Sequence, residues 1–319
     1  LSGSAADLVL AFAGTVTTHT GTVAVTGGAP TVDQLKTINN ASSGAITLST
    51  ANGALSDTAA NLAVALAGTI NHTGTVTITD APSVTELVTI NNGTTGAITL
   101  DVANGALSGT AANLVLAFAG TVTEHTGTVT ITDAPSVTEL KTINAATTGA
   151  ITLDVTNGAL SGSAADLVLA FAGTVTEHTG TVTITDAPSV TELKTINAAT
   201  TGAITLDVTN GALSGSAADL VLAFAGTVTT HTGTVTITDA PNVTELREIN
   251  TATTGEIILD VPNGALTDTA LKLAVALAGT INHSGTVTIT NAPSVTELVT
   301  INAGTSGPIV LNVTNGALS

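Results

Sequence analysis

One histidine recurs in every stretch of about 53 residues, and a row of histidines could bind metal or carry protons. The six are His19, His72, His125, His178, His231 and His283. Two imidazoles that share a zinc ion need nitrogens about 3–4 Å apart, whereas positions two strands apart in a sheet lie about 10 Å from each other. Glutamates precede only two of the histidines, so no second ligand is repeated. We interpret the row as histidines that pack turns, with a weak metal site at His125 and His178, or a pH-sensitive contact, as the alternatives.

Two rows of acidic residues repeat with the same period. The first row closes a predicted strand and comprises Asp80, Asp133, Asp186 and Asp239, with Asn291 in the last copy. The second lies outward on another strand and comprises Asp101, Asp154, Asp207 and Asp260, with Asn312 in the last copy. Calcium needs six to eight converging oxygens, and no Asp-x-Asp-x-Asp-Gly run is present. We predict turn caps and a solvated strand face, with weak divalent-cation binding at the first row as the alternative and no cofactor.

Other site chemistry finds less support in the pattern. Outward threonines such as Thr183, Thr185 and Thr205 could form an ice-binding face, but Asp207 interrupts the ranks and β-propensity explains the threonines better. No Ser/His/Asp constellation occurs outside the repeat, and an enzyme rarely needs six equivalent sites. We therefore expect a protein that is not an enzyme, with ice binding as a remote alternative.

The elements that position these rows come from a tandem repeat. Residues 121–173 are identical to residues 174–226, and Asn-Gly-Ala-Leu recurs at steps of 52 or 53 residues from Asn52 to Asn315. The repeats are 1–54, 55–106, 107–159, 160–212, 213–265 and 266–317. Single-residue differences in length fall near predicted loops, which is typical of solenoids.

One unit contains alternating strands and capped helices. Thr181–Thr185 alternates as a strand, Ser189 and Glu192 form a capping box, and a helix is predicted to end near Ala199. The residues 203–208 predict a second strand. The apolar segment 220–225 follows a cap-like Ser216, so we favour a helix over a buried strand. The pattern leaves open whether 227–229 forms a further strand.

These units predict an α/β solenoid with one parallel sheet and short helices, two coils per unit. A three-sided parallel β-helix is the alternative. We expect residues 1–319 to form one continuous domain and to be a window of a longer chain, because the sequence begins and ends in the same phase of the repeat.

Composition and charge exclude several partners. The chain has 23 acidic residues and five basic ones, with a net charge of −18, so it lacks the basic stripe that nucleic acid requires. No apolar run is long enough to span a bilayer. The absence of cysteine excludes disulfides and thiol chemistry. A thin core of aliphatic residues suits a solenoid, since only four aromatic residues are present.

Three motifs carry a resemblance to known sequences: Thr179–Leu193, Ile196–Gly202 and Ser214–Leu220. They resemble the tandem repeats of very large bacterial extracellular or surface proteins, notably cyanobacterial ones. The resemblance covers all six units and implies an extracellular or cell-surface location and an adhesin-like or structural role. It implies no catalytic or binding residue.

The function expected from these observations is a structural segment of a bacterial fibre, filament or surface layer. It would associate with itself end to end or laterally, and other surface components are further possible partners. Four apolar segments end at candidate self-association residues, which are Phe12, Phe118, Phe171 and Phe224. The alternative is the stalk of a giant adhesin whose ligand-binding domains lie outside this segment.

Overall fold

Short and long helices alternate along the chain, and the caps that the sequence predicts are present. The long helices begin with capping boxes at Thr31, Ser83, Ser136, Ser189, Asn242 and Ser294. The segment 220–225 covers the second half and the end of a helix that spans Ala217–Ala223, as predicted. The helices are α1 (Ala5–Ala11), α2 (Val32–Ala41), α3 (Ala59–Ala65), α4 (Val84–Gly93), α5 (Ala111–Ala117), α6 (Val137–Ala146), α7 (Ala164–Ala170), α8 (Val190–Ala199), α9 (Ala217–Ala223), α10 (Val243–Ala252), α11 (Ala270–Ala276) and α12 (Val295–Ala303).

The strands are three or four residues long, and three of them occur in each repeat. They are β1 (Ser2–Ser4), β2 (Val23–Thr26), β3 (Ile46–Leu48), β4 (Leu55–Asp57), β5 (Val76–Ile78), β6 (Ile98–Leu100), β7 (Leu107–Gly109), β8 (Val129–Ile131), β9 (Ile151–Leu153), β10 (Leu160–Gly162), β11 (Val182–Ile184), β12 (Ile204–Leu206), β13 (Leu213–Gly215), β14 (Val235–Ile237), β15 (Ile257–Leu259), β16 (Leu266–Asp268), β17 (Val287–Ile289) and β18 (Ile309–Leu311).

This computed structural model describes residues 1–102, 105–262 and 264–312. They divide into two compact units. Unit 1 contains Leu1–Val155 and Ala172–Thr176, and unit 2 contains Thr156–Phe171 and Glu177–Ser319. The boundary falls near the middle of the six repeats, and one continuous domain over 1–319 stays a prediction.

The strands of each repeat form a separate parallel sheet. The sheets of unit 1 are β1-β2-β3, β4-β5-β6 and β7-β8-β9, and those of unit 2 are β10-β11-β12, β13-β14-β15 and β16-β17-β18. In the fourth repeat Leu160 pairs with Val182, and Val182 pairs with Ile204. Each strand therefore lies one circuit of the chain from its neighbour. We call such a circuit a coil, either a short-helix coil (β10 through α7 to β11) or a long-helix coil (β11 through α8 to β12).

The prediction of one continuous sheet with two strands per unit is wrong. The missed strand is the three-residue segment before each short helix, such as β13, where Leu213 is buried and Ser214 is exposed. Three residues are too few for an alternating pattern to be read. The segment 227–229, left open from the sequence, contributes a single parallel bridge from Val228 to Ile204. Two coils per repeat, one for each helix, agree with the prediction.

The core of each unit lies between its strands and its helices. Val182 and Ile184 are fully buried on the inner face of β11, while Leu193 and Ile196 are fully buried on α8. Short helices contribute leucine and alanine, since α9 buries Leu220 and Ala223. Because these aliphatic side chains are small, strand and helix lie close together, and polar groups at the ends of each helix are within reach of the adjacent coil.

Candidate functional site

The first aspartate row caps helices in the preceding coil. The Asp186 carboxylate accepts the Ala164 N–H at 2.8 Å, and Asp239 accepts the Ala217 N–H at 2.8 Å. Asp80 and Asp133 make the same bond in unit 1, and Asn291 makes it in unit 2. The acceptor satisfies one of the free amides at a helix start. This geometry explains the row as a set of helix caps, and the asparagine of the last repeat, Asn291, makes the same hydrogen bond.

The second aspartate row does not lie on a strand as predicted but directly follows β6, β9, β12 and β15. Asp154 and Asp207 are exposed, and their main-chain N–H groups bond to Ile131 and Ile184 of the preceding strand. Among the described residues, no group of three or more His, Cys, Asp or Glu side chains is placed to hold a metal ion. The aspartates and histidines that we named as weak cation candidates are therefore not brought together in the part of the chain that the structure describes.

The histidines from His72 onward are buried and bridge three successive coils. His178 is 2% exposed; its Nε2 donates to the Gly158 carbonyl at 2.5 Å, and its Nδ1 lies 3.3 Å from the Thr200 hydroxyl. Gly158 belongs to the coil before it and Thr200 to the coil after it. The same pair of contacts is made by His72, His125, His231 and His283. His19, in the first repeat, has a buried Nε2 with no partner in the described structure.

Burial makes the neutral imidazole the favoured form. Removal from water lowers the pKa of His72, His125, His178 and His231 below the usual 6.5, and the hydrogen bond to the glycine carbonyl opposes this shift. A carbonyl can only accept, so Nε2 carries the proton and Nδ1 is the free nitrogen. An unprotonated Nδ1 facing a threonine hydroxyl inside the protein is poorly placed for metal binding or for proton transfer to a substrate.

The four phenylalanines lie in the core and not on a free surface. Phe118, Phe171 and Phe224 are 7–9% exposed, and each ring is tilted against a histidine at a centroid distance of 5.8–5.9 Å. Phe12 is 8% exposed and lies 6.3 Å from His19. These rings are therefore not available as the contact surface that the sequence suggested. The exposed apolar side chains of the same helices are Leu10, Leu116, Leu169 and Leu222.

A row of asparagines that sequence reasoning missed closes the other end of the short helices. In unit 2 the Asn197 Nδ2 donates to the Leu222 carbonyl at 3.0 Å and to the Ala225 carbonyl at 2.6 Å. Asn39, Asn91, Asn144 and Asn250 likewise donate to carbonyls at or just after the end of the next short helix. The available signal was an asparagine after isoleucine in every copy, inside a helix, where asparagine has low propensity.

Asp, Asn and His therefore link consecutive coils at three points: the start of a short helix, its end, and the turn that follows it. Each bond has its donor and acceptor in different coils, and each is repeated within a unit. No helix in the described ranges has the length and apolar character needed to cross a bilayer.

No protein-family model matches the chain, and a search of curated proteins returns no significant match.

Proposed function

We propose that this chain is a structural repeat segment of an extracellular bacterial fibre, filament or surface layer. The observation that carries the proposal is the use of the repeated polar residues: in the second to fifth repeats Asp, Asn and His are bonded to adjacent coils, as at Asp186, Asn197 and His178. A buried hydrogen bond contributes about 1 kcal/mol, and one left unmade costs more. Repetition of such bonds stabilises stacking of the chain on itself, which is the property a structural segment needs.

The chemistry of the repeated residues supports a role without catalysis. Neutral, buried imidazoles and carboxylates that cap helices are in states that maintain structure. Composition favours durability outside the cell, since the chain has no cysteine or methionine to be oxidised and only five lysines and arginines. The resemblance to repeats of bacterial surface proteins supports the extracellular location.

Two surfaces are candidates for self-association. The first is the exposed leucine of the short helices, which is 47% exposed at Leu116 in unit 1 and 54% at Leu222 in unit 2. The second lies at α12, where Val295 is 53% exposed, whereas its equivalent Val243 is 6% exposed on α10, against which α11 packs. A cavity of about 360 Å³ at this surface is lined by Val295, Leu298, Val299, Asn302, Ile309 and Leu311. A further coil of the same sequence would cover it as α11 covers α10.

The alternative function is the stalk of a large adhesin whose ligand-binding domains lie elsewhere. It shares the stacking of coils with the leading proposal but needs no contact between copies. Association of purified protein therefore distinguishes the two functions.

The test is sedimentation and negative-stain imaging of the purified chain over a range of concentrations. We expect fibres or bundles that sediment, and weaker bundling when Leu10, Leu116, Leu169 and Leu222 are all replaced by glutamine. The matched control replaces Ala6, Ala112, Ala165 and Ala218, which are exposed on the same helices, with glutamine and should associate like the unchanged protein. Dispersed single particles at every concentration would contradict the fibre and favour the stalk.

A further inference from the structure

The buried histidines have a geometry that fits one protonation state. Each of the five from His72 onward is 2–3% exposed, and the bonds from Nε2 to the glycine carbonyls measure 2.5–2.8 Å. These carbonyls belong to Gly53, Gly105, Gly158, Gly211 and Gly264. The neutral imidazole with its single proton on Nε2 therefore makes the bond to the glycine carbonyl.

The second nitrogen faces a hydroxyl that is already engaged. The Thr200 Oγ1 accepts the Gly202 N–H at 3.0 Å and donates to the His178 main-chain carbonyl at 2.8 Å. At His72 the Thr94 Oγ1 lies nearer, 2.8 Å from Nδ1, and donates its proton there. A second proton on the ring removes the acceptor for the Thr94 hydroxyl, which must then turn to accept from Nδ1. At His178 the second proton places a charge on a ring that is only 2% exposed.

No charged group next to His178 compensates the positive charge of a protonated ring. The ring of His178 packs against Phe171, the Gly158 carbonyl and Thr200, none of which ionises near neutral pH. Glu177, the nearest carboxylate in the sequence, is exposed to solvent. Burial is the largest cause of the lowered pKa of His178, and the hydrogen bond to the Gly158 carbonyl opposes it. No neighbouring charge contributes to the shift.

We propose that His72, His125, His178 and His231 form an acid-sensitive joint between coils, which opens as the pH falls below about 6.5. Opening releases the contacts to the preceding glycine and the following threonine together, so one protonation loosens three coils. This regulation is independent of whether the chain forms fibres, because it concerns the stability of the coils themselves.

The direction of the pH dependence follows from the lowered pKa. The folded ring binds a proton less readily than the unfolded ring, whose pKa is about 6.5. The stabilisation is complete above pH 6.5 and is lost as the pH falls through that value toward the folded pKa. In this window the equilibrium constant for opening one coil rises by up to about tenfold per pH unit.

Native-state hydrogen exchange with mass spectrometry tests the proposal between pH 8 and pH 5, after correction for the intrinsic pH dependence of exchange. His231 is the histidine to replace, because peptides around His125 and His178 have identical sequences. We expect the coil at His231 to lose protection below pH 6.5 in the unchanged protein. The glutamine of His231→Gln can still donate to the Gly211 carbonyl but does not titrate. In this variant the exchange protection of the coil at residue 231 should no longer vary with pH, while that of the coil at His72 should still fall below pH 6.5.

Two results would overturn the proposal: protection of the unchanged coil that does not vary from pH 8 to pH 5, or a dependence at this coil that survives His231→Gln. If that variant does not fold, proton NMR titration of the unchanged protein decides the question. Resonances of His72, His125, His178 and His231 with midpoints below 6.5 that move together with loss of protection support the joint, and midpoints at or above 6.5 for these four overturn it.

Discussion

The coils around His72 and His125 make the same contacts with different residues and different lengths. The segment from Leu66 to His72 is one residue shorter than the segment from Phe118 to His125, and asparagine (Asn71) precedes the histidine in the shorter one. Both histidines are 2% exposed and both bond to a glycine carbonyl. The shorter segment therefore keeps the histidine buried and bonded to its glycine carbonyl.

Three of the residues that differ in the shorter coil make the changed contacts: Leu66 in place of phenylalanine, Asn71 in place of threonine, and Gly93 in place of alanine. In the shorter coil the Asn71 side chain accepts the Leu48 N–H at 2.6 Å and donates to the Leu48 carbonyl at 3.3 Å, so that its amide acts as a piece of main chain. In the longer coil the main chain makes a ladder bond, as from the Thr123 N–H to the Ile98 carbonyl at 2.8 Å. In the equivalent coil of unit 2 the Thr229 hydroxyl also accepts the Leu206 N–H, at 3.2 Å. The third change is glycine for alanine at the end of the next long helix.

Glycine is required there because the shorter coil brings a carbonyl too close for a side chain. A Cβ at Gly93 would lie 2.3 Å from the Leu66 carbonyl oxygen and 2.6 Å from the Leu66 Cβ. The same relation holds between Gly304 and Leu277 in unit 2. We call this set, Leu66–Asn71–Gly93 or Leu277–Asn282–Gly304, the compact joint, and Phe118–Thr123–Ala146 and its equivalents the extended joint.

The largest effect is expected from Gly93→Ala, which breaks the compact joint. The new methyl group overlaps backbone atoms that cannot rotate away, so we expect a loss of about 3 kcal/mol in the opening free energy of the end of α4. Hydrogen exchange of α4 amides measures it. The matched control in the extended joint, Ala146→Gly, removes a methyl group and should cost only about 0.5–1 kcal/mol.

A rescue variant checks that the joint acts as a set. Replacing Leu66–Asn71 with the seven residues of 118–124, Phe-Ala-Gly-Thr-Val-Thr-Glu, should restore protection to the Gly93→Ala protein, since it converts the joint to the extended form. A neutral Gly93→Ala, or a rescue variant no better than Gly93→Ala alone, would show that the residues do not depend on one another.

A smaller effect is expected from Asn71→Ala. It leaves the main-chain N–H and carbonyl of Leu48 without the side-chain amide, which costs about 2 kcal/mol for groups this close to the core. The comparable change in the extended joint is Thr229→Ala. There the Thr229 hydroxyl accepts only the Leu206 N–H, at a longer 3.2 Å, and the bond from the Thr229 N–H to the Ile204 carbonyl at 2.9 Å remains. We therefore expect a smaller loss, of about 1 kcal/mol. Equal losses in exchange protection at the two sites would contradict the distinction between the joints.

Much of the fold could be predicted because its signals are local. The capping boxes of Ser189 and Asn242 and the alternation of Val182 and Ile184 are properties of adjacent residues, and the structure confirms them. The third strand could not be found, since three residues such as Leu213–Gly215 carry too short a pattern. Its identity depends on pairing with β14, which lies 22 residues farther along the chain.

The partners of the polar rows were unpredictable for a related reason. Which amide Asp186 caps depends on how one coil is placed on the next, and a repeat in one sequence does not specify that register. The Asn197 row illustrates the limit, because its carbonyl partners begin 25 residues farther along. Burial of Phe171 follows from the same register, which places His178 beside it.

The smallest effect tests a feature that the two joints share. Asp80 lies in a repeat with the compact joint, and Asp239 lies in a repeat with the extended joint. Asp80 accepts the Ala59 N–H at 2.7 Å, and Asp239 accepts the Ala217 N–H at 2.8 Å. Asp80→Ala and Asp239→Ala should therefore cost the same, about 1 kcal/mol, in the protection of α3 and α9 respectively.

Asparagine should replace either aspartate with little loss, since Asn291 accepts the Ala270 N–H at 2.7 Å in the last repeat. Asp260→Ala, at an exposed position of the second row, is the control and should leave protection unchanged. If asparagine proved as costly as alanine, the carboxylate charge rather than the hydrogen bond would hold the coils together. In that case added salt, which screens exposed charges, should weaken both joints equally.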